Sequence, residues 1–126
     1  MEGRSRRWIL VVDDDATVRS LLIDVLEREG YAAVGAEDGY IAEELIRDIF
    51  PDLILLDLRM PRGSGWSLMS NVREHQRWQH IPVLIVSGHI EEDQPASEPG
   101  LNIVGWIEKP VEVDTLVAKV REVLQA

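Results

Sequence analysis

Cysteine is absent from the 126 residues of this chain, which excludes a disulfide framework, a thiolate zinc site and catalysis by a cysteine nucleophile. Its absence also agrees with a reducing compartment. The three histidines, His75, His80 and His89, do not have the spacing of metal ligands. Long apolar runs are missing as well, because no stretch approaches the roughly 18 residues that a membrane-spanning helix needs. The basic start has no signal-peptide core, so we expect a cytoplasmic protein without a membrane partner.

Basic residues are scarce relative to acidic ones. Lys and Arg together number 13 against 23 Asp and Glu, so the formal net charge is −10 at pH 7. This excess argues against direct binding of nucleic acid, which needs a basic surface, and favours binding of cations. The length and the 45% hydrophobic content suit one domain with a single core. We expect this domain at residues 8–126, after an N-terminal extension over residues 1–7.

Strand-like and helix-like patterns alternate along the chain, which is typical of βα units on a parallel sheet. The run WILVVD predicts a buried strand, and apolar residues from Val18 to Leu26 then recur at helical spacing. Asp15 is expected to cap this helix and Gly30 to stop it. Four further apolar runs predict strands, namely YAAVGA, DLILLD, PVLIVSG and IVGWIEK. Helical spacing returns in GYIAEELIRDIF, SLMSNVREH and VDTLVAKVREVL.

One segment interrupts this alternation. Residues 90–102 stand where a fourth helix belongs, yet Pro95, Pro99 and Gly100 leave room for only about one or two turns. The continuous apolar strands indicate a sheet that is covered on both faces. We therefore predict an α/β fold, a doubly wound five-stranded parallel sheet of flavodoxin-like type. Its expected strand order is 2-1-3-4-5, with a weak or short fourth helix.

Polar residues follow the predicted strands at the edge where such folds bind ligands. Asp13 and Asp14 follow the first strand, Asp57 the third, Ser87 the fourth and Lys109 the fifth. In the predicted order the first and third strands are neighbours at about 4.8 Å, so their acidic residues should lie close together. Two such charges about 4 Å apart repel by roughly 4 kcal/mol at an effective dielectric of about 20. A divalent cation relieves that repulsion, and carboxylates with a backbone carbonyl and waters suit Mg²⁺.

Four ordered motifs carry a family resemblance. VVDDD resembles the acidic pair, LLDLRMPRGSG the phospho-acceptor strand, IVSG the hydroxyl-bearing strand end and WIEKP the lysine-proline pair of response-regulator receiver domains. The resemblance covers about Trp8 to Leu124. Each motif alone is a weak signal, but four at compatible spacing make a strong one. The chain therefore resembles a receiver domain of two-component signalling.

The resemblance implies a phosphorylation site at Asp57. This residue would take a phosphoryl group from a sensor histidine kinase, a phosphotransfer protein or a small acyl phosphate. Asp14 would bind Mg²⁺ directly, Asp13 mainly through water, and Asp57 and the backbone carbonyl of Arg59 would complete the ligands. The phosphorylated domain would then signal to a downstream protein target or effector domain. It would act as a switch rather than an enzyme, with at most slow self-dephosphorylation.

The same resemblance implies roles around the phosphoryl group. Lys109 would contact its oxygens, and the bond from Lys109 to the following proline would be cis. Ser87 would donate its hydroxyl, and Trp106 would move inward in response, although a partly buried packing role suits this tryptophan equally well. Arg59 and His89 would tune how long the phosphoryl group survives.

Three alternative functions, in two further classes, stay open. A degenerate receiver would act as an interaction module without phosphorylation, but the complete set of Asp14, Asp57, Ser87 and Lys109 speaks against it. A flavodoxin-like cofactor binder would need a Gly- or Ser/Thr-rich loop after the first strand, where acidic residues stand instead. A phosphohydrolase with an aspartyl nucleophile would need a second acid where Arg59 stands.

Overall fold

The computed structural model describes residues 6–60, 65–88 and 101–125. Within them the five strands form one parallel sheet in the order β2-β1-β3-β4-β5, which confirms the predicted class and strand order. The elements are β1 (Trp8–Val12), α1 (Ala16–Arg28), β2 (Ala32–Ala36), α2 (Gly39–Ile49), β3 (Leu53–Leu56), α3 (Gly65–Glu74), β4 (Pro82–Ser87), β5 (Asn102–Glu108) and α4 (Val113–Leu124).

The weak fourth helix is predicted within residues 90–102, of which residues 90–100 lie outside the described residues. The label α4 therefore denotes the C-terminal helix. The proposed boundary between an extension and the domain at residue 8 coincides with the start of β1, but it stays a prediction. No helix in the described parts of the chain combines the length and the apolar content that a membrane crossing requires.

Helix α1 begins and ends where local chemistry predicts. The Asp15 side chain accepts hydrogen bonds from the backbone N–H groups of Thr17 and Val18, at 2.9 and 3.2 Å, and so satisfies donors that have no partner within the helix. Gly30 follows the helix with a φ of +96°, a conformation that glycine adopts without strain. The predicted cap and stop are both confirmed.

The core lies on both faces of the sheet because successive strand residues point to opposite sides. Helices α2 and α3 cover one face, and α1 and α4 cover the other. Buried residues on the first face include Leu10, Val12, Ile46, Leu56, Leu68 and Ile85. Those on the second face include Ile9, Val11, Leu22, Leu55, Leu84, Leu116 and Val120.

The register of β1 and β3 positions the polar residues that follow them. Val12 lies directly beside Leu56 in the parallel ladder. The next residues, Asp13 and Asp57, therefore leave the sheet side by side at the same edge. Strand pairing alone thus brings together two carboxylates that are 44 positions apart in the sequence.

Candidate functional site

Strand ends place the candidate residues in one small region. The backbone N–H of Asp57 donates to the carbonyl of Val12 at 2.9 Å, which extends the β1–β3 pairing by one residue. The N–H of Lys109 likewise donates to the carbonyl of Ser87 at 2.9 Å and extends the pairing of β4 with β5. Each residue therefore starts from a backbone that the sheet holds in place.

Lys109 joins the two buried carboxylates. Its Nζ lies 2.8 Å from Oδ2 of Asp13 and 3.2 Å from Oδ2 of Asp57. Asp13 is 1% exposed and Asp57 is 6% exposed. A single ammonium group thus balances part of the charge of two acids that have almost no access to water.

The second oxygen of each buried carboxylate bonds to nearby backbone. Oδ1 of Asp13 accepts from the N–H of Asp15 at 2.9 Å, and Oδ1 of Asp57 accepts from the N–H of Arg59 at 3.1 Å. Both contacts have the i to i+2 spacing of an Asx turn. Local hydrogen bonds therefore orient the carboxylates, while Lys109 links them across the sheet.

The site also sets the charge states of its groups. Burial raises the pKa of Asp57 above its ordinary value, although the Arg59 N–H and the Lys109 charge oppose this shift. Burial alone would lower the pKa of Lys109, but its hydrogen bond to Asp13 and the charges of Asp13 and Asp57 outweigh that effect and raise the pKa. Lys109 is accordingly a permanent positive charge at physiological pH.

Three acidic residues fit a hard divalent cation. One carboxylate oxygen from each of Asp13, Asp14 and Asp57 lies within 4.8 Å of the other two. Asp13 and Asp57 are buried, whereas Asp14 is exposed and so combines proximity to the cluster with access to solvent. A group of oxygen ligands beside solvent suits Mg²⁺, which retains several waters when bound.

Other predicted residues are placed as follows. Ser87 ends β4 and is fully buried. Trp106 is half-buried on β5 beside Ile85 of β4, and it packs against the core beneath α2 and α3. Arg59 is exposed and contacts Asp57 through its backbone N–H. His89 lies outside the described residues.

One expectation about Lys109 is confirmed and another is extended. The peptide bond between Lys109 and Pro110 is cis, as predicted. The sequence predicts that a divalent cation alone relieves the acidic repulsion, but in the structure Lys109 shares that role. Sequence spacing places Lys109 at the correct strand end but does not reveal which carboxylates its side chain reaches.

Arg19 also contacts the site although the sequence pattern did not single it out. Its Nη1 donates to the backbone carbonyl of Asp13 at 2.7 Å. In the sequence Arg19 resembles any polar residue of an amphipathic helix. Its one distinguishing feature in the sequence is its position one helical turn after the Asp15 cap, at the end of the helix nearest the acidic residues.

Comparisons with known proteins agree with this geometry. A family model described as "Response regulator receiver domain" matches residues 9–121. The phosphate regulon transcriptional regulatory protein PhoB of Escherichia coli K12 is 34% identical over 119 residues, which cover 94% of this chain and 52% of PhoB. The chemotaxis protein CheY of Halobacterium salinarum is 32% identical over 120 residues, which cover 95% of this chain and 98% of that protein.

A solved structure extends the likeness to three dimensions. A putative response regulator from Chloroflexus aurantiacus superposes with a TM-score of 0.85 at 31% sequence identity, covering 97% of this chain and all of that one. The chain thus spans about half the length of the PhoB relatives that it matches and nearly the whole of the Halobacterium protein.

Proposed function

Because the chain belongs to the response-regulator receiver domain family, we propose that Asp57 accepts a phosphoryl group in a Mg²⁺-dependent reaction and that the aspartyl phosphate switches the domain toward a partner. Receiver domains are signalling switches of two-component systems, and they interact with histidine kinases or phosphotransfer proteins and with downstream effectors. The observation that carries the proposal is the convergence of Asp13, Asp14 and Asp57 within 4.8 Å, with Lys109 3.2 Å from the acceptor carboxylate.

The proposed transfer is a displacement at phosphorus. An oxygen of Asp57 forms the new P–O bond, and the bond to the donor nitrogen or acyl oxygen breaks with its electron pair on the leaving group. Asp57 must be ionised to attack, and the Lys109 charge and the Arg59 N–H both favour that form. Burial excludes water from the acceptor and strengthens its interactions with nearby charge.

Asp13, Asp14, Asp57 and the carbonyl of Arg59 would hold Mg²⁺, Asp14 directly and Asp13 mainly through water. The ion, when bound, screens the repulsion between the carboxylate nucleophile and an anionic donor and aligns the donor oxygens. Lys109 provides a second positive charge, with its Nζ 2.8 Å from Oδ2 of Asp13 and 3.2 Å from Oδ2 of Asp57. After transfer, Lys109 is free to exchange an acidic partner for a phosphoryl oxygen.

The proposed response starts at Ser87. Its hydroxyl would bond to the new phosphoryl group and draw the end of β4 inward. Trp106 would follow because it packs beside Ile85, two residues before Ser87. Arg59 and His89 would tune the rate of slow self-dephosphorylation.

The proposed partners and boundaries follow from the family. A sensor histidine kinase or a phosphotransfer protein would supply the phosphoryl group. A separate protein or an effector domain would receive the signal, and residues 8–126 would form the receiver domain after an extension at residues 1–7. The proposal places this reaction in the cytoplasm.

Incubation with Mg²⁺ and acetyl phosphate, read by intact mass, tests the proposal. The wild type should gain the mass of one phosphoryl group. Asp57→Asn should gain none at any Mg²⁺ concentration, because it lacks the accepting oxygen. Asp14→Asn is the matched control: it keeps the acceptor but loses a proposed metal ligand, so it should need more Mg²⁺ for the same labelling.

Two results would contradict the proposal. The same adduct on Asp57→Asn would show that the acceptor is a different residue. No mass gain on the wild type would favour an interaction module that works without phosphorylation.

A further inference from the structure

Arg19 reaches the acidic site from outside the carboxylate cluster. Its backbone belongs to the first turns of α1, and helical side chains lean toward the helix N-terminus, which here is the loop of Asp13, Asp14 and Asp15. The guanidinium therefore meets the carbonyl of Asp13, with Nη1 at 2.7 Å. This carbonyl belongs to the peptide unit that joins Asp13 to Asp14.

Gly35 makes room for this approach. A Cβ built on Gly35 would lie 2.9 Å from both Cγ and Cδ of Arg19 and 3.0 Å from Cδ1 of Ile23. Carbon atoms do not approach so closely without displacement, so any side chain at position 35 would push the Arg19 stem away from β2. Gly35 on β2 and Arg19 on α1 therefore act as a pair, because the absence of a side chain at Gly35 leaves space for the Arg19 stem.

We propose that Arg19 is a positioning residue that fixes the Asp13–Asp14 peptide in the orientation in which Asp14 binds Mg²⁺. The inference rests on the proposed function of the acidic cluster and adds to it a residue that touches neither the ion nor the phosphoryl group. Asp13 is held by Lys109 and by the Asp15 N–H, but Asp14 is exposed and depends on the backbone for its direction. The charge-assisted hydrogen bond from Arg19 supplies that direction.

A positioning role and a purely electrostatic role of Arg19 predict opposite changes in Mg²⁺ affinity when its side chain is removed. Loss of a nearby positive charge, considered alone, strengthens binding of a cation. Loss of the anchor on the Asp13–Asp14 peptide loosens Asp14 and weakens binding. Outer partners of metal ligands commonly contribute about tenfold or more to affinity. The sign of the change therefore identifies the role.

The test measures Mg²⁺ affinity of the full chain by calorimetry. Arg19→Ala should bind about tenfold more weakly than the wild type. Arg19→Lys, which keeps a cationic donor, should fall between the two. The matched control is Arg28→Ala on the same helix: its side chain is 77% exposed and pairs with Asp24, so its loss should leave Mg²⁺ affinity unchanged.

Gly35→Ala tests the same contact without changing any charge. It should weaken Mg²⁺ binding in the same direction as Arg19→Ala. In the double variant the alanine Cβ no longer meets the Arg19 stem, and its remaining contact at 3.0 Å is with Cδ1 of Ile23, the movable end of a side chain, so the double variant should bind no more weakly than Arg19→Ala alone. A further loss of Mg²⁺ affinity in the double variant would show that Gly35 acts independently of Arg19 and would overturn the assigned pairing of the two residues.

A readout without metal separates positioning from general destabilisation. The Asp15 N–H, which bonds to Asp13, should exchange with solvent faster in Arg19→Ala, whereas amides in the middle of β1 should not. Unchanged or tighter Mg²⁺ binding by Arg19→Ala, beside normal binding by the wild type, would overturn this inference alone, whatever the result for Gly35→Ala. Failure of the wild type to bind Mg²⁺ would overturn the proposed function as well.

Discussion

The Lys109 ammonium group offsets part of the repulsion between the carboxylates of the acidic cluster. Two carboxylates with little access to water share its ammonium group, and each ion pair is supported by a backbone hydrogen bond to the other oxygen. A buried charge that loses its partner destabilises a fold much more than an exposed one, because water cannot replace the lost interaction. Stability and proposed function therefore depend on the same side chain.

Replacing Lys109 with Met should lower the metal-free free energy of unfolding by about 1 to 3 kcal/mol at neutral pH. This is less than the roughly 3 to 5 kcal/mol typical of a fully buried pair, because the Lys109 side chain is 25% exposed. Added Mg²⁺ should reduce the difference from the wild type, since the ion takes over part of the charge balance. Urea unfolding, with and without a chelator, measures both effects.

Lys119 provides the control for this prediction. Its Nζ lies 3.7 Å from Glu122, whose side chain is 71% exposed. Lys119→Met should change stability by less than about 1 kcal/mol and should show no dependence on Mg²⁺. If Lys109→Met were as stable as the wild type in the presence of chelator, the assigned role of Lys109 would be wrong.

The start of α3 packs unusually close to the acceptor strand. Gly65 donates its N–H to the carbonyl of Leu58 at 3.2 Å. A Cβ on Gly65 would lie 2.5 Å from both the Asp57 carbonyl oxygen and the Leu58 Cα. These neighbours are backbone atoms, which cannot rotate away as a side-chain end would. Helix α3 can therefore reach this position only because its first residue is glycine.

Gly65→Ala should lower the free energy of unfolding by about 1 to 3 kcal/mol, which is typical of overpacking. Alanine is otherwise the better helix former by up to about 1 kcal/mol, so a net loss would show that the clash dominates. The rate of labelling by acetyl phosphate should fall too, because the clash displaces the backbone that carries Asp57. Gly88→Ala is the matched control for stability, since a Cβ there meets nothing within 4 Å.

A Gly65→Ala protein as stable as the wild type would mean that the approach of α3 to β3 is looser than the distances imply. Normal stability together with slower labelling would instead confine the effect to the geometry of Asp57. Thermal unfolding and labelling, measured on the same samples, separate these two outcomes.

The stability of the whole protein should depend on the charge of its acidic edge. Burial raises the pKa of Asp57, so the folded protein holds this proton more tightly than the unfolded chain does. As the pH rises from the pKa of Asp57 in the unfolded chain, about 3.9, through its higher pKa in the folded protein, the unfolded chain loses the Asp57 proton first. The contribution of Asp57 to stability therefore falls across this window and stays low at neutral pH.

The ion pairs of Lys109 contribute stability up to alkaline pH. Because the pKa of Lys109 is raised in the folded protein, this contribution is lost only as the pH rises through that raised pKa.

Asp57→Asn should consequently gain stability relative to the metal-free wild type as the pH rises from about 4 to 7, since its amide does not ionise. Denaturant unfolding in chelator, followed by tryptophan fluorescence at several pH values, measures the difference. A difference that does not change with pH would show that ionisation of Asp57 does not affect folding. Saturating Mg²⁺ should stabilise the wild type more than Asp57→Asn, which lacks one carboxylate of the site.

Much of this protein follows from patterns that are local in the sequence. Apolar runs and helical spacing predict which segments form strands and helices, because burial periodicity depends on neighbouring residues alone. Continuous apolar strands predict a sheet covered on both faces, and acidic residues directly after β1 and β3 predict the edge that holds the site. The Asp15 cap and the Asx turns also depend only on residues two or three positions apart.

The contacts that complete the site depend instead on distant parts of the chain. Lys109 meets Asp13 across 96 positions, and only the order of the strands and the direction of its side chain bring the two together. Arg19 reaches the Asp13 carbonyl because α1 packs against β2 at Gly35. No periodicity encodes such contacts, since they arise from distances of a few ångströms between elements that pack only after the whole sheet has formed.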